Sequence, residues 1–359
     1  LLTAYLALGT MAVVPIYFGS YSSLKKIKAS SNPQAEKRPE DDHESSDEEE
    51  EEAESLSTED AYMFPLIGSG VLFSLYLVFR YLNKEYVNYL LTAYFAVIGV
   101  AALTKMGEAV IRGITGIKER ACQSQRFRAN ADHAHVPVLF DVRFTRLHMV
   151  SAVASLGCTI YYAWTKNWVA SNLFGLAFAT SAVQLIALDS FKTGIILLSG
   201  LFFYDIFWVF GTEVMVSVAR NFDAPIKVVF PKVLFVAAGE KLQFTMLGLG
   251  DIVIPGIFVA LCLRYDQYLA LRSKTPPTHK RPFDFPKPYF YGCFIAYVLG
   301  LATTVFVMHT FKAAQPALLY LSPACTLSSV IVAVTRGELG QLFKYSAEDK
   351  DEKKSKETK

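Results

Sequence analysis

The chain has 359 residues, 52% of them hydrophobic and 14% aromatic, with a mean hydropathy of +0.30. Soluble domains carry about 45 to 50% apolar residues even when glycine is counted, so this composition excludes an ordinary soluble protein and points to a polytopic membrane protein. The 35 Lys and Arg nearly balance the 33 Asp and Glu, and they lie in short loops between apolar runs, which excludes a nucleic-acid-binding patch.

The first apolar run, Leu1 to Ser22, reads as a membrane span. Tyr17-Phe18 and the following Lys25-Lys26 do not form a small-residue cleavage site behind a basic region, so a cleaved signal peptide is not expected. The start on Leu1 in place of Met is expected to mean that a few native residues precede it. Residues 23–63 follow as an acidic, Ser-rich stretch with Glu48 to Glu52 consecutive; it repels itself, buries nothing, and is expected to be a disordered cytosolic linker.

Eight further apolar runs occur: Phe64 to Tyr81, Tyr86 to Leu103, Leu147 to Thr165, Trp168 to Leu188, Thr193 to Met215, Phe244 to Leu263, Tyr289 to Phe311 and Pro316 to Thr335. Each is close to the length that crosses about 30 Å of hydrocarbon. Lipid offers no partner to backbone N–H and C=O groups, so each run is read as a helix. The expected fold is all-α with nine transmembrane helices. Residues 64–188 hold helices two to five with a basic cytosolic loop at 104–146; residues 189–343 hold helices six to nine; residues 344–359 form a charged cytosolic tail.

Across alternate loops, about 27 of the 35 basic residues fall on one side, which marks that side as cytosolic and puts the N-terminus in a lumen and the C-terminus in the cytosol. The loop from Arg220 to Lys241 runs against the bias, with four basic residues on the lumenal side. Its two prolines and alternating Val and Phe fit a lumenal flap or a plain connector equally well.

Two carboxylates, Asp205 and Asp251, lie inside apolar runs, about twelve and about seven residues from the start of each. An ionisable residue at membrane depth is a functional hypothesis by default. The two runs are consecutive and antiparallel, so the acids can meet at one depth and share one proton, leaving one base and one acid. That is the equipment of aspartic peptide hydrolysis: one acid takes a proton from water, the water attacks the scissile carbonyl, and the other acid protonates the oxyanion. Water is expected to enter between helices six, seven and nine. Pro255 removes a backbone hydrogen bond just beyond Asp251 and is expected to kink its helix. Gly248 and Gly250 clear side chains from beside it, leaving room for a substrate backbone. The same pair of acids also fits a proton- or cation-coupled transporter, although no internal repeat relates the halves, and the same groove fits a non-catalytic chaperone of membrane helices.

Tyr204-Asp205 in one run, Gly248-Leu249-Gly250-Asp251 in the next, and Gln315-Pro316-Ala317-Leu318 at the last resemble the GxGD intramembrane aspartyl protease family, which includes presenilin and signal peptide peptidase. Asn172 to Phe178, Tyr204 to Thr212, Ala224 to Lys227, Met246 to Phe258 and Gln315 to Leu321 are most similar to the signal peptide peptidase branch. The resemblance implies Asp205 and Asp251 as the catalytic pair, with Tyr204, Gly248, Leu249, Gly250, Gln315, Pro316, Ala317 and Leu318 supporting the site or engaging substrate. It implies cleavage of type II membrane segments, notably remnant signal peptides, in the endoplasmic reticulum membrane, with no cofactor and no metal. The bilayer is the surrounding partner; self-association and quality-control proteins of that membrane are candidate partners, and nucleic acid is not. The C-terminal Lys356-Glu357-Thr358-Lys359 departs from the family's dilysine retrieval signal, and the acidic insertion before Tyr62 is longer than the family leads one to expect.

Other polar residues carry less. Glu213 reads as an interfacial charge, His148 and His309 lack partners at metal-ligand spacing, and the aromatics from Phe202 to Phe210 read as packing and lipid contact. Four of the five cysteines lie in apolar segments, and none shows zinc-like spacing.

Overall fold

A computed structural model describes residues 2–24, 54–115, 125–128, 141–144, 146–221, 224–232, 243–272, 283–311 and 315–346. Most of the acidic linker, most of the basic loop, part of the Arg220 to Lys241 loop and the tail from 347 lie outside the described residues.

In chain order the elements are α1 (Leu2–Ser22), β1 (Glu54–Leu56), α2 (Thr58–Tyr81), α3 (Lys84–Thr115), β2 (Gln125–Arg128), β3 (Asp141–Phe144), α4 (Arg146–Thr165), α5 (Trp168–Leu185), β4 (Ile186–Leu188), α6 (Phe191–Phe210), α7 (Val214–Asn221), β5 (Lys227–Pro231), β6 (Phe244–Gly248), α8 (Gly250–Leu271), α9 (Pro288–Phe311), α10 (Leu318–Arg336) and α11 (Leu339–Lys344). The protein is a mostly helical, multi-pass membrane protein. Among the described residues eight helices are long and apolar enough to cross a bilayer: α1, α2, α3, α5, α6, α8, α9 and α10. The remaining expected span is helical too, as α4, but it is not among the eight. It carries the buried hydroxyls Ser151, Ser155 and Thr159, and Ser151 donates to the Thr104 carbonyl of α3 at 2.8 Å.

Several boundaries differ from the sequence expectation: α3 stays helical to Thr115, into the loop expected at 104–146, α8 continues to Leu271 where Leu263 was expected, and four more differ as follows. The run from Phe244 is not helical at its start: Phe244–Gly248 is a strand, antiparallel to β5, and the helix begins at Gly250. The run from Trp168 stops being helical at Leu185, where Ile186–Leu188 pairs in parallel with β1. The run from Thr193 is divided: α6 ends at Phe210 and α7 begins at Val214. The linker expected to reach residue 63 gives way earlier to β1 and α2. Ser57 and Asp60 cap the start of α2 reciprocally, with Ser57 N–H donating to Asp60 Oδ2 at 3.1 Å and Asp60 N–H to Ser57 Oγ at 3.3 Å.

The chain divides into two compact units. One comprises residues 1–8, 77–181 and 219–249. Its core is the contact of α3, α4 and α5, where Ala102, Leu103, Tyr162, Ala170, Phe174 and Ala177 are buried. It also holds the β5–β6 hairpin. Asn172 of α5 fastens that hairpin by bonding both backbone groups of Val229, accepting its N–H at 2.8 Å and donating to its carbonyl at 2.6 Å.

The other unit comprises residues 9–76, 182–218 and 250–359. Its centre is α8, buried without interruption from Pro255 to Leu263, which is the signature of a helix covered on all sides. α6 and α9 pack on α8, and α10 packs on α6, α8 and α9. Close approach is allowed where α6 carries Gly194, since a Cβ there would come within 2.7 Å of the fully buried Phe258 ring. α2 by contrast has few buried residues, with Leu66, Ile67 and Val71 presenting an apolar face suited to lipid.

Candidate active site

α6 starts cleanly because Ser190 Oγ accepts the Thr193 N–H at 3.2 Å. Fifteen residues into this helix, Asp205 is only 4% exposed. Its Oδ2 accepts the backbone N–H of Leu318 at 3.0 Å. The reason lies at the start of α10. A helix leaves its first N–H groups without internal acceptors, and Ala317 in the capping position makes no side-chain bond to them. The Asp205 carboxylate takes that place, so the Pro316-Ala317-Leu318 element and Asp205 are joined directly. Pro316, Ala317 and Leu318 are all buried. Gln315 is half-buried and accepts from the Tyr320 hydroxyl at 3.4 Å.

Asp251 is the second residue of α8, not about seven residues into a longer helix, because the five residues Phe244–Gly248 belong to the hairpin. Asp251 is half-buried, and α8, which carries it in its first turn, packs against α6, which carries Asp205. Its backbone carbonyl accepts a hydrogen bond at 3.3 Å from the hydroxyl of Tyr297, a fully buried residue of α9.

The other residues singled out from the sequence divide into groups. Gly248 pairs with Lys227 at the end of β6, and the Leu249 N–H donates to the Ile226 carbonyl at 2.9 Å, so both belong to the hairpin. Gly250 is exposed, and an added Cβ would meet only Ile254 Cδ1 at 3.9 Å. The Tyr204 ring lies against α2, about where a Cβ on Gly68 would touch it at 3.7 Å. A cavity of about 330 Å³ lies between α2 and α6, lined by Tyr62, Pro65, Ile196, Ser199, Gly200 and Phe203. The expected entry between the sixth, seventh and ninth runs is not this cavity. Glu213 is exposed between α6 and α7, and His148 pairs with Glu108 at 2.9 Å.

Two residues that tie α9 to α8 escaped the sequence reading. One is Tyr297, one of three phenols in the run Tyr289 to Phe311 and not distinguished from the others by the sequence. The other is Asp266, 1% exposed near the end of α8, which accepts the N–H groups of Tyr289 at 3.3 Å and Phe290 at 2.8 Å and so holds the first turn of α9. The sequence reading ended this run at Leu263, so Asp266 lay outside it and only the structure shows it to be buried.

Residues 48–349 match the family described as signal peptide peptidase. The chain belongs to the signal peptide peptidase family. It is 41% identical to signal peptide peptidase of Mus musculus, over 95% of this chain and 82% of that protein. The corresponding protein of Homo sapiens is 40% identical over 95% of this chain and 83% of its own length. A probable intramembrane protease of Schizosaccharomyces pombe is 36% identical over 81% and 84%. As a member of this family the chain is an intramembrane protease, a membrane-embedded hydrolase of peptide bonds.

Proposed function

We propose that Asp205 and Asp251 form the catalytic pair of an aspartyl endopeptidase that cuts within type II oriented membrane segments, notably remnant signal peptides. The observation that carries this reading is the joining of Asp205 to the Leu318 N–H, in a unit where α8, with Asp251 in its first turn, packs on α6. In the cycle, one carboxylate accepts a proton from water, the water oxygen bonds to the scissile carbonyl carbon, and the other carboxylic acid donates to the carbonyl oxygen. Collapse of the tetrahedral species breaks the C–N bond and returns a proton to the leaving amine. Neither a covalent intermediate nor a metal is needed.

Substrate must unwind first, because helical peptide bonds are occupied by their own hydrogen bonds. Pro316 has no N–H, and the Pro316-Ala317-Leu318 element beside Asp205 is suited to engage such an unwound backbone, with Gln315 at its entrance. Tyr204 and the Gly248-Leu249-Gly250 stretch complete the supporting set. The reading includes a ninth span at α4, a lumenal N-terminus, a cytosolic C-terminus and residence in the endoplasmic reticulum, supported by the basic-residue bias and the names of the relatives. It also includes segments 23–63 and 344–359 as solvated cytosolic regions, and self-association or contacts with quality-control proteins.

The test is mass spectrometry of products from a defined signal peptide, with wild type and Asp251→Ala side by side. Cleavage within the apolar core of the peptide by wild type alone supports the assignment; equal cleavage by Asp251→Ala defeats it. Ion flux in proteoliposomes without peptide products would favour the transporter.

A further inference from the structure

Asp251 opens α8, and the residue four positions later is Pro255, which lies inside the same helix. In an α-helix the carbonyl of residue i accepts the N–H of residue i+4. Proline has no N–H, so the carbonyl of Asp251 loses its helical donor at the very residue that carries the acid. In an apolar interior a backbone carbonyl left without a donor is costly.

The donor comes from another helix. The Tyr297 hydroxyl of α9 reaches the Asp251 carbonyl at 3.3 Å, longer than the usual ~2.7–2.8 Å for such a bond. Both Tyr297 and Pro255 are buried, so this contact lies inside the packed unit. α9 is independently registered on α8 by Asp266, which takes the N–H groups of Tyr289 and Phe290. A buried phenol facing a carbonyl orphaned by proline is a matched pair, one residue supplying what the other withholds.

We propose that Tyr297 is a positioning residue, supplying the hydrogen-bond donor that Pro255 withholds and so fixing the first turn of α8 that carries Asp251. The inference rests on Asp251 being one of the catalytic acids. Tyr297 touches no reacting atom; it acts by holding the backbone from which the Asp251 side chain is aimed. A loose first turn would let the carboxylate wander from the geometry that proton transfer needs, while the elements that bind substrate stay in place.

The test is a double-mutant cycle with Tyr297→Phe, which removes one oxygen and keeps the ring, on the Pro255 and Pro255→Ala backgrounds. On the native background Tyr297→Phe should lower kcat about tenfold, the scale of one lost positioning hydrogen bond, with KM unchanged. On the Pro255→Ala background the residue-255 N–H serves the carbonyl, and the same substitution should cost less than about twofold. Hydrogen exchange of the peptide spanning residues 250–257 supplies a readout independent of turnover: Tyr297→Phe should speed it, and Pro255→Ala should reverse the effect. Equal losses on both backgrounds, a loss confined to KM, or unchanged exchange would overturn the proposal. Residual turnover in Asp251→Ala would instead remove the catalytic reading of Asp251, and exchange would still decide whether Tyr297 holds the turn.

Discussion

On the proposed reading Asp205 has two separable jobs, acid chemistry and acceptance of a backbone hydrogen bond, and two substitutions pull them apart. Asp205→Asn keeps a carbonyl oxygen at the position of Oδ2 and can still accept the Leu318 N–H, whereas Asp205→Ala cannot. Both remove the cost of burying an ionisable group, so that contribution cancels between them. The difference isolates a buried donor, 3.0 Å from its acceptor in wild type and on a residue only 5% exposed. Leaving such a group unsatisfied costs about 1 to 3 kcal/mol, a factor of roughly 5 to 150 in the folding equilibrium. Unfolding titrations in detergent micelles, run with turnover on the same preparations, measure both jobs. The expected result is that neither variant cleaves substrate while Asp205→Asn is the more stable by that margin. Equal stability of the two would mean that the Leu318 bond does not anchor α10, and turnover by Asp205→Asn would remove Asp205 from the chemistry.

Three further outcomes follow from the packing. Asp266→Ala should destabilise the protein by about 2 to 5 kcal/mol, because two buried N–H groups at the start of α9 lose their acceptor, and Asp266→Asn by less; the unfolding midpoint checks this. Gly194→Ala should cost about 1 to 3 kcal/mol, since the new methyl meets the Phe258 ring at 2.7 Å in a fully buried site; a neutral effect would mean that α6 can shift there freely. Asn172→Ala removes both bonds to Val229, and amide exchange across β5 should quicken by about tenfold or more while exchange in the contact of α3 and α4 stays unchanged.

Much of the helical fold was legible because lipid leaves a long apolar run almost no alternative to a helix. Ser57 and Asp60, three residues apart before an apolar run, also carry a readable start signal. The strands were not legible. Phe244-Thr-Met-Leu-Gly248 is apolar and runs straight into a helix, and composition cannot divide such a run when its pairing partner lies upstream beyond a loop. The three residues before Asp189 pair with a segment more than a hundred positions earlier, which local pattern does not reveal. The apolarity that made α4 readable as a helix is diluted by its hydroxyls, of which Ser151 bonds α3.

The site was legible in its residue types and less so in its geometry. The two acids stood out as polar residues in apolar surroundings, whereas the Pro316-Ala317-Leu318 element was singled out by its resemblance to the family motif. That Asp205 would bond the Leu318 N–H follows from the unmet donors of a helix start, a need visible in the sequence whose partner is fixed only by packing. The same holds for the carbonyl of Asp251: Pro255 announces the missing donor, and only the fold names Tyr297 as its replacement.

The central claim is that Asp205 and Asp251 serve one site. A peptide in which a hydroxyethylene group replaces the scissile amide mimics the tetrahedral species and needs both acids at once. Its binding to purified wild type, Asp205→Asn and Asp251→Asn is the most direct measurement. One tight site on wild type, weakened at least about a hundredfold by either substitution alone, is expected. Undiminished binding to either variant would show that the two carboxylates do not act on a common substrate.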